Sequence, residues 1–215
     1  SYVVSPTIHV QSGVLTLVWV DNRDQTGSPN RDLFLSRSVD GGMSWENAQA
    51  IQVDDSPVDA GNVHDGQPIR VAGGPQGLAI AWTEKFPGVK RDLLIRYSAD
   101  GGQTWTQAPH RLAQTGGAVS KFDFALDGMT IITTFMQLDP SSGYPMLWCG
   151  QGPQAGATWT LSNLAPPSNY IQVPQLVGNG NTWAVFCEDS WIGENGNWYA
   201  VTRDAGETWS ALKPM

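Results

Sequence analysis

The sequence predicts an all-β chain of repeated four-stranded antiparallel sheets. These are the blades of a β-propeller, in a closed four-bladed ring or as part of a larger propeller. Three observations carry this. A corner motif of Ser, Asp, Gly and Trp recurs four times. A strand–turn–strand pattern precedes each copy. The chain is rich in Gly (24) and Trp (10) and only 15% charged, a mixture that suits short strands joined by tight turns.

The corners are SVDGGMSW (Ser38 to Trp45), SADGGQTW (Ser98 to Trp105), GPQAGATW (Gly152 to Trp159) and TRDAGETW (Thr202 to Trp209). Their tryptophans lie 60, 54 and 50 residues apart, the period of one propeller blade. Asp40, Asp100 and Asp204 are placed to accept backbone N–H groups just ahead of them, as in an Asx turn. Gly42, Gly102 and Gly206 permit positive φ. Trp45, Trp105, Trp159 and Trp209 are expected to supply large buried faces. Gln154 stands where the third corner should have its Asp, so that turn is expected to be the loosest.

Ahead of the corners lie PTIHVQSGVLTLVWV (from Pro6), PIRVAGGPQGLAIAW (from Pro68), FDFALDGMTIITTF (from Phe122) and PQLVGNGNTWAVF (from Pro174). Each reads as strand, Gly-containing turn, strand, enriched in β-branched and aromatic residues. With strands lettered a to d, the first repeat has a at 6–10, b at 14–20, c at 32–38 and d at 45–53. The blades fall at about 1–54, 55–114, 115–165 and 166–215 of a single domain. The last outer strand is short, and Tyr2 to Val4 could pair beside it to close a ring.

These corners resemble the Asp-box (BNR) repeats of the sialidase superfamily of β-propellers, and the resemblance covers nearly the whole chain. It implies that the Asp-box turns are peripheral and structural, away from any sugar site. It also implies an extracellular or extracytoplasmic setting. Related propellers include sialidases, other glycoside hydrolases, lectins and assembly factors. A sialidase of this kind needs three arginines, a Tyr/Glu nucleophile pair and an Asp acid/base. The Arg-Ile-Pro element that opens its first blade is replaced here by Tyr2-Val3-Val4-Ser5-Pro6. Asp21-Asn22-Arg23 resembles the later Asp-x-Arg element, and Asp24 falls near the place of the acid/base. No Tyr/Glu pair is identified, so no catalytic residue is assigned.

Blade geometry places the a–b and c–d turns on one face and the b–c and d–a loops on the other. The second set is longer, polar and aromatic, which suits a binding face. The candidate glycan-binding residues there are Asp21, Arg23, Asp65, Glu84, Tyr144, Glu188, Asp189 and Trp191, with His64 and Tyr170 nearby. Each has a plainer alternative: a loop salt bridge for Asp21 and Arg23, solvated charge for Glu84, blade-edge cover for Trp191. The Asp54, Asp55, Asp59, Asn62 and Asp65 loop is oxygen-rich but lacks EF-hand spacing, so a solvated loop is favoured over a metal site.

Composition excludes other classes. A net charge of −8 with 12 scattered basic residues does not suit a nucleic-acid partner. No apolar run is long enough to insert in a membrane. The first residues lack a signal-peptide pattern, and the absent initiator Met points to a processed or excised chain. Cys149 and Cys187 form one bridge or remain two buried thiols, the second being favoured. No phosphate loop or catalytic-triad motif occurs, and no cofactor is implied. The expectation is a carbohydrate-recognising, non-catalytic propeller whose partner is a glycan or glycoconjugate. A glycoside hydrolase and a protein-docking module are the alternatives. Four repeats would also allow a homo-oligomer or a partner chain to complete the ring.

Overall fold

The computed structural model describes residues 3–21, 32–52, 62–63, 69–74, 77–85, 91–112, 117–153, 158–165, 171–189 and 196–215. Among them every regular element is a strand, as the Gly- and Trp-rich composition requires. They form four antiparallel sheets. The chain divides into two compact units, Ser1–Arg111 and Leu112–Met215, with two sheets in each.

In the first unit, sheet 1 holds β1 (Val3–Gln11), β2 (Val14–Asp21), β3 (Asp32–Ser38) and β4 (Gln49–Gln52) in that order. Sheet 2 holds β5 (Asn62–Val63), β6 (Arg70–Gly74), β7 (Gly77–Lys85), β8 (Arg91–Ser98) and β9 (His110–Leu112). Its order is β5-β7-β8-β9, with β6 pairing the opening half of β7. The inner edge of this sheet is therefore one strand broken in two. Asn62 and Val63, expected in a loop, pair with Lys85 and Glu84. Alternating apolar residues from both sheets fill one core: Val18, Val20, Leu33 and Leu35 meet Leu78, Ile80 and Trp82.

In the second unit, sheet 3 runs β10 (Val119–Asp127), β11 (Thr130–Leu138), β12 (Pro145–Pro153) and β13 (Thr160–Ala165). Sheet 4 runs β14 (Gln172–Asn179), β15 (Thr182–Asp189), β16 (Gly196–Thr202) and the two-residue β17 (Lys213–Pro214). Met136, Leu147 and Ala165 pack on Ile171 and Cys187, while Cys149 packs on Val185 and Ala200. A polar tie spans the same two sheets: Asp123 Oδ2 accepts the Leu176 N–H at 2.9 Å. Neither cysteine is in a disulfide and both are buried, and burial pushes the Cys149 thiol well up. Buried, undissociated thiols are inert.

The three corners with Asp share one network. At the second, Asp100 accepts hydrogen bonds from Gln103 N, Thr104 N, Thr104 Oγ1 and Ser98 Oγ at 2.6–2.9 Å, and Ser98 Oγ accepts Gly102 N at 2.7 Å. Asp40 and Asp204 repeat it with Ser44 and Thr208. Gly42, Gly102 and Gly206 have φ of 92°, 96° and 92°, a region a Cβ disfavours. Ala205 adopts φ 57°, where the other two corners have glycine. The third corner is rebuilt. Gly152 stands where the others have Ser or Thr, and the Trp159 indole lies so close that a Cβ there would sit 2.3 Å from it. Gln154 lies outside the described residues.

Three expectations are corrected. Trp45 is 41% exposed rather than buried. Trp105 and Trp209 pack on the cores shared with the preceding sheet of their unit, but sheet 1 is the first of its unit and has none. The first strand d is confined to Gln49–Gln52, because residues 45–48 follow β3 with one backbone bond, Glu46 N to Arg37 O. Val3 and Val4 extend β1, pairing with Asp21 and Val20, so they do not add to the last sheet.

The register breaks of sheets 1, 3 and 4 gather at the b–c end, opposite the Asp-boxes. They fall between Val4 and Thr7, Leu33 and Phe34, Val119 and Lys121, Leu147 and Trp148, and Gln172 and Gln175. Ser5 and Val173, each followed by proline, sit at φ 53° and 40° within two of these breaks. For a β-branched valine that conformation is strained.

Candidate functional site

Strand b ends the same way in each sheet: an aromatic residue, one apolar or small residue, then a polar side chain. The four are Trp19-Val20-Asp21, Trp82-Thr83-Glu84, Phe135-Met136-Gln137 and Phe186-Cys187-Glu188. With a period of two, the aromatic and the polar residue share a face. The partners on strand c, directly opposite and on that same face, are Asp32, Asp92, Met146 and Asn197.

In the first unit this row is buried and acidic. Asp21, Asp32, Glu84 and Asp92 are all at most 3% exposed. Trp19 Nε1 donates to Asp21 Oδ2 at 3.4 Å. Arg111 Nε donates to Asp92 Oδ2 and ties the outer strand β9 to β8. The sequence singled out Asp21 and Glu84 as lining residues; the structure places both inside the unit. Asp32 and Asp92, missed by the sequence reading, are their cross-strand partners.

In the second unit the row stays buried in sheet 3 and opens to solvent in sheet 4. Gln137 is buried and donates through Nε2 to Gly117 O at 2.9 Å. Glu188 is exposed and, with Gln175, Phe186, Asn197 and Val173, lines a hollow of about 320 Å³. Pairing explains the grouping. Gln175 faces Phe186, Phe186 faces Tyr199, and Glu188 faces Asn197, so one face of sheet 4 presents these side chains. Phe186 and Tyr199 are in tilted ring contact at 6.5 Å between centroids. Cys187 points to the opposite face, into the core shared with sheet 3.

Tyr144 is exposed and closes a tight b–c turn whose ends meet through Asp139 N to Tyr144 O, at 2.8 Å. Hydrogen bonds from Ser141 and Ser142 hold the Asp139 carboxyl below its ordinary value. Asp189 ends β15 opposite Gly196. Arg23, Asp24, His64, Asp65, Tyr170 and Trp191 lie outside the described residues. The signal that finds Gln175, Phe186 and Asn197 is the recurrent aromatic–x–polar ending of strand b, followed across the ladder. Among the described residues, no three His, Cys, Asp or Glu side chains are grouped to hold a metal ion.

The corners lie at the far end of the same strands. A profile of the BNR/Asp-box repeat matches residues 96–107, which span the Asp100 corner. Three solved structures share the architecture. A Hadza microbial sialidase superposes with a TM-score of 0.64 at 17% identity, over 97% of this chain and 46% of its own. An α-L-arabinofuranosidase from Fusarium graminearum gives 0.66 at 13% identity, over 99% and 66%. A polysaccharide lyase, an ulvan lyase, gives 0.69 at 11% identity, over 98% and 55%.

The chain carries a BNR/Asp-box repeat at residues 96–107 and shares the fold of these structures. No curated protein sequence matches it. The Asp-box chain spans 46–66% of the lengths of these three structures. At such identities the likeness establishes the fold, and one fold serves several chemistries.

Proposed function

We propose that this Asp-box chain recognises carbohydrate without turning it over, through the open face of sheet 4. One observation carries the reading. The Phe186–Glu188–Gln175–Asn197 hollow combines a half-buried aromatic face with three polar side chains free to meet hydroxyls. A few convergent polar groups around apolar surface is the usual composition of a small-molecule site, and about 320 Å³ falls at the small end of the range of roughly 300–1,000 Å³. A sugar ring would stack its C–H face on Phe186 and pair its hydroxyls with the amides and carboxylate.

A glycan array followed by calorimetric titration tests this. Phe186→Ala is expected to weaken binding at least tenfold while leaving the thermal transition unchanged. Unaltered affinity would remove the hollow from the site.

A second reading, glycoside hydrolysis, is favoured by the buried cross-strand carboxylates Glu84 with Asp92 and Asp21 with Asp32. Hydrolysis needs two carboxyl groups flanking the scissile bond, roughly 5–9.5 Å apart. Turnover of fluorogenic glycosides that is lost in Glu84→Gln would establish this second reading in place of the first.

A further inference from the structure

Sheet 4 distributes its charges unevenly. The only charged side chain among the described residues that line the Phe186 hollow is Glu188, and its polar neighbours Gln175 and Asn197 are neutral amides. The cations of this sheet lie elsewhere: Arg203 and Lys213 line a separate hollow with Tyr199 and Trp209. Lys213 pairs with Tyr199, one strand farther out than Asn197 and two farther than Glu188. Among the described residues that line the hollow, no guanidinium or ammonium would compensate the Glu188 anion for a carboxylate-bearing ligand.

We infer that Glu188 makes this hollow selective for uncharged sugar rings over uronic and sialic acids. The inference rests on reading the hollow as a sugar site. Neutral hydroxyls suit the residues present. A carboxylate accepts from two hydroxyls of one ring, and each amide both donates and accepts, so an uncharged ring satisfies all three side chains. An acidic ring brings its own anion near Glu188 in place of a donor. Like charges about 4 Å apart cost on the order of 1 kcal/mol in water and several times more under partial desolvation. Because Glu188 is exposed, the low end of that range applies, and the discrimination expected is about fivefold. The feature sets which sugar enters, and it is independent of any chemistry at the buried carboxylates of the first unit.

The test uses matched ligands that differ by one group: methyl galactoside against methyl galacturonoside, and methyl glucoside against methyl glucuronoside, with methyl arabinofuranoside and methyl sialoside completing the set. Calorimetry on the full chain at low salt is expected to show a neutral glycoside bound about fivefold tighter than its uronide. Glu188→Gln, which keeps shape and hydrogen-bonding capacity, should bring the uronide up to the neutral affinity and leave the neutral glycoside within about threefold. Raising the salt should narrow the wild-type gap. A uronide or sialoside bound as tightly as its neutral partner by the wild type would overturn the selectivity while sparing the recognition reading. So would a gap that survives in Glu188→Gln. Failure of every glycoside to bind would overturn the recognition reading and the selectivity with it.

Discussion

Replacing Asp100 by alanine removes an acceptor that serves four donors: Ser98 Oγ, Gln103 N, Thr104 N and Thr104 Oγ1. The corner is exposed at Gln103 and Thr104, so water takes over the freed N–H groups and the full penalty of burying an unpaired donor does not apply. The loss is then that of a capping side chain, about 1 kcal/mol. For a chain of this size that is a fall in Tm of roughly 2–4 °C at pH 7. A second measurement separates the cap from a general loss of packing. Burial pushes the Asp100 carboxyl up, but bonds from Thr104, Ser98 and Gln103 outweigh it and hold the pKa at about 2, against 3.8 for the free group. A folded-state pKa below the unfolded one stabilises above about pH 4, and that stabilisation is lost as the pH falls through 2. The gap between wild type and Asp100→Ala should therefore be full at pH 7 and shrink steadily from pH 4 to pH 2. Urea denaturation across that range measures it. A gap that is absent at pH 7, or that persists unchanged at pH 2, would refute the assignment of Asp100 as a charged cap.

Two further substitutions probe the other corners. Ala205→Gly relieves a left-handed residue at φ 57°; set against the added freedom of the unfolded chain, it should stabilise by about 0.5–1 kcal/mol, read as a higher urea midpoint. Gly152→Ser restores the side chain of the other corners but drives its Cβ into the Trp159 indole. It should destabilise by roughly 1–3 kcal/mol and change the near-ultraviolet circular dichroism of Trp159, whereas an unchanged spectrum would contradict the contact.

The fold was legible because its signal is local and repeated. Three of the four corners carry their own Asp acceptor and positive-φ glycine, and each of the four follows a strand–turn–strand segment, so the copies together define four sheets. What the sequence hid depends on neighbours. Trp45 and Trp105 occupy equivalent motif positions, yet only Trp105 has a preceding sheet in its unit to pack on. Asn62 and Val63 are too short a pairing to show alternation. The candidate site was half legible for the same reason. Asp21, Glu84 and Glu188 share one register position, and nothing in their local sequence distinguishes the two that are buried from the one that faces solvent. Phe186, Gln175 and Asn197 became visible only when the ladder joined three strands.

The clustering of register breaks at one end of sheets 1, 3 and 4 divides each of these blades into two halves of different tolerance. Toward the Asp-box corner the ladder is regular, and a one-residue insertion would turn every inward side chain outward. At the opposite end the inner strands β1, β10 and β14 already contain an irregularity that absorbs such a change before it reaches the core. Substitutions and length changes there can reshape what the chain meets while the half that holds it together keeps its pairing. Such a blade is a regular base carrying an editable tip, and variants meant to redirect binding belong upstream of Thr7, Lys121 and Gln175.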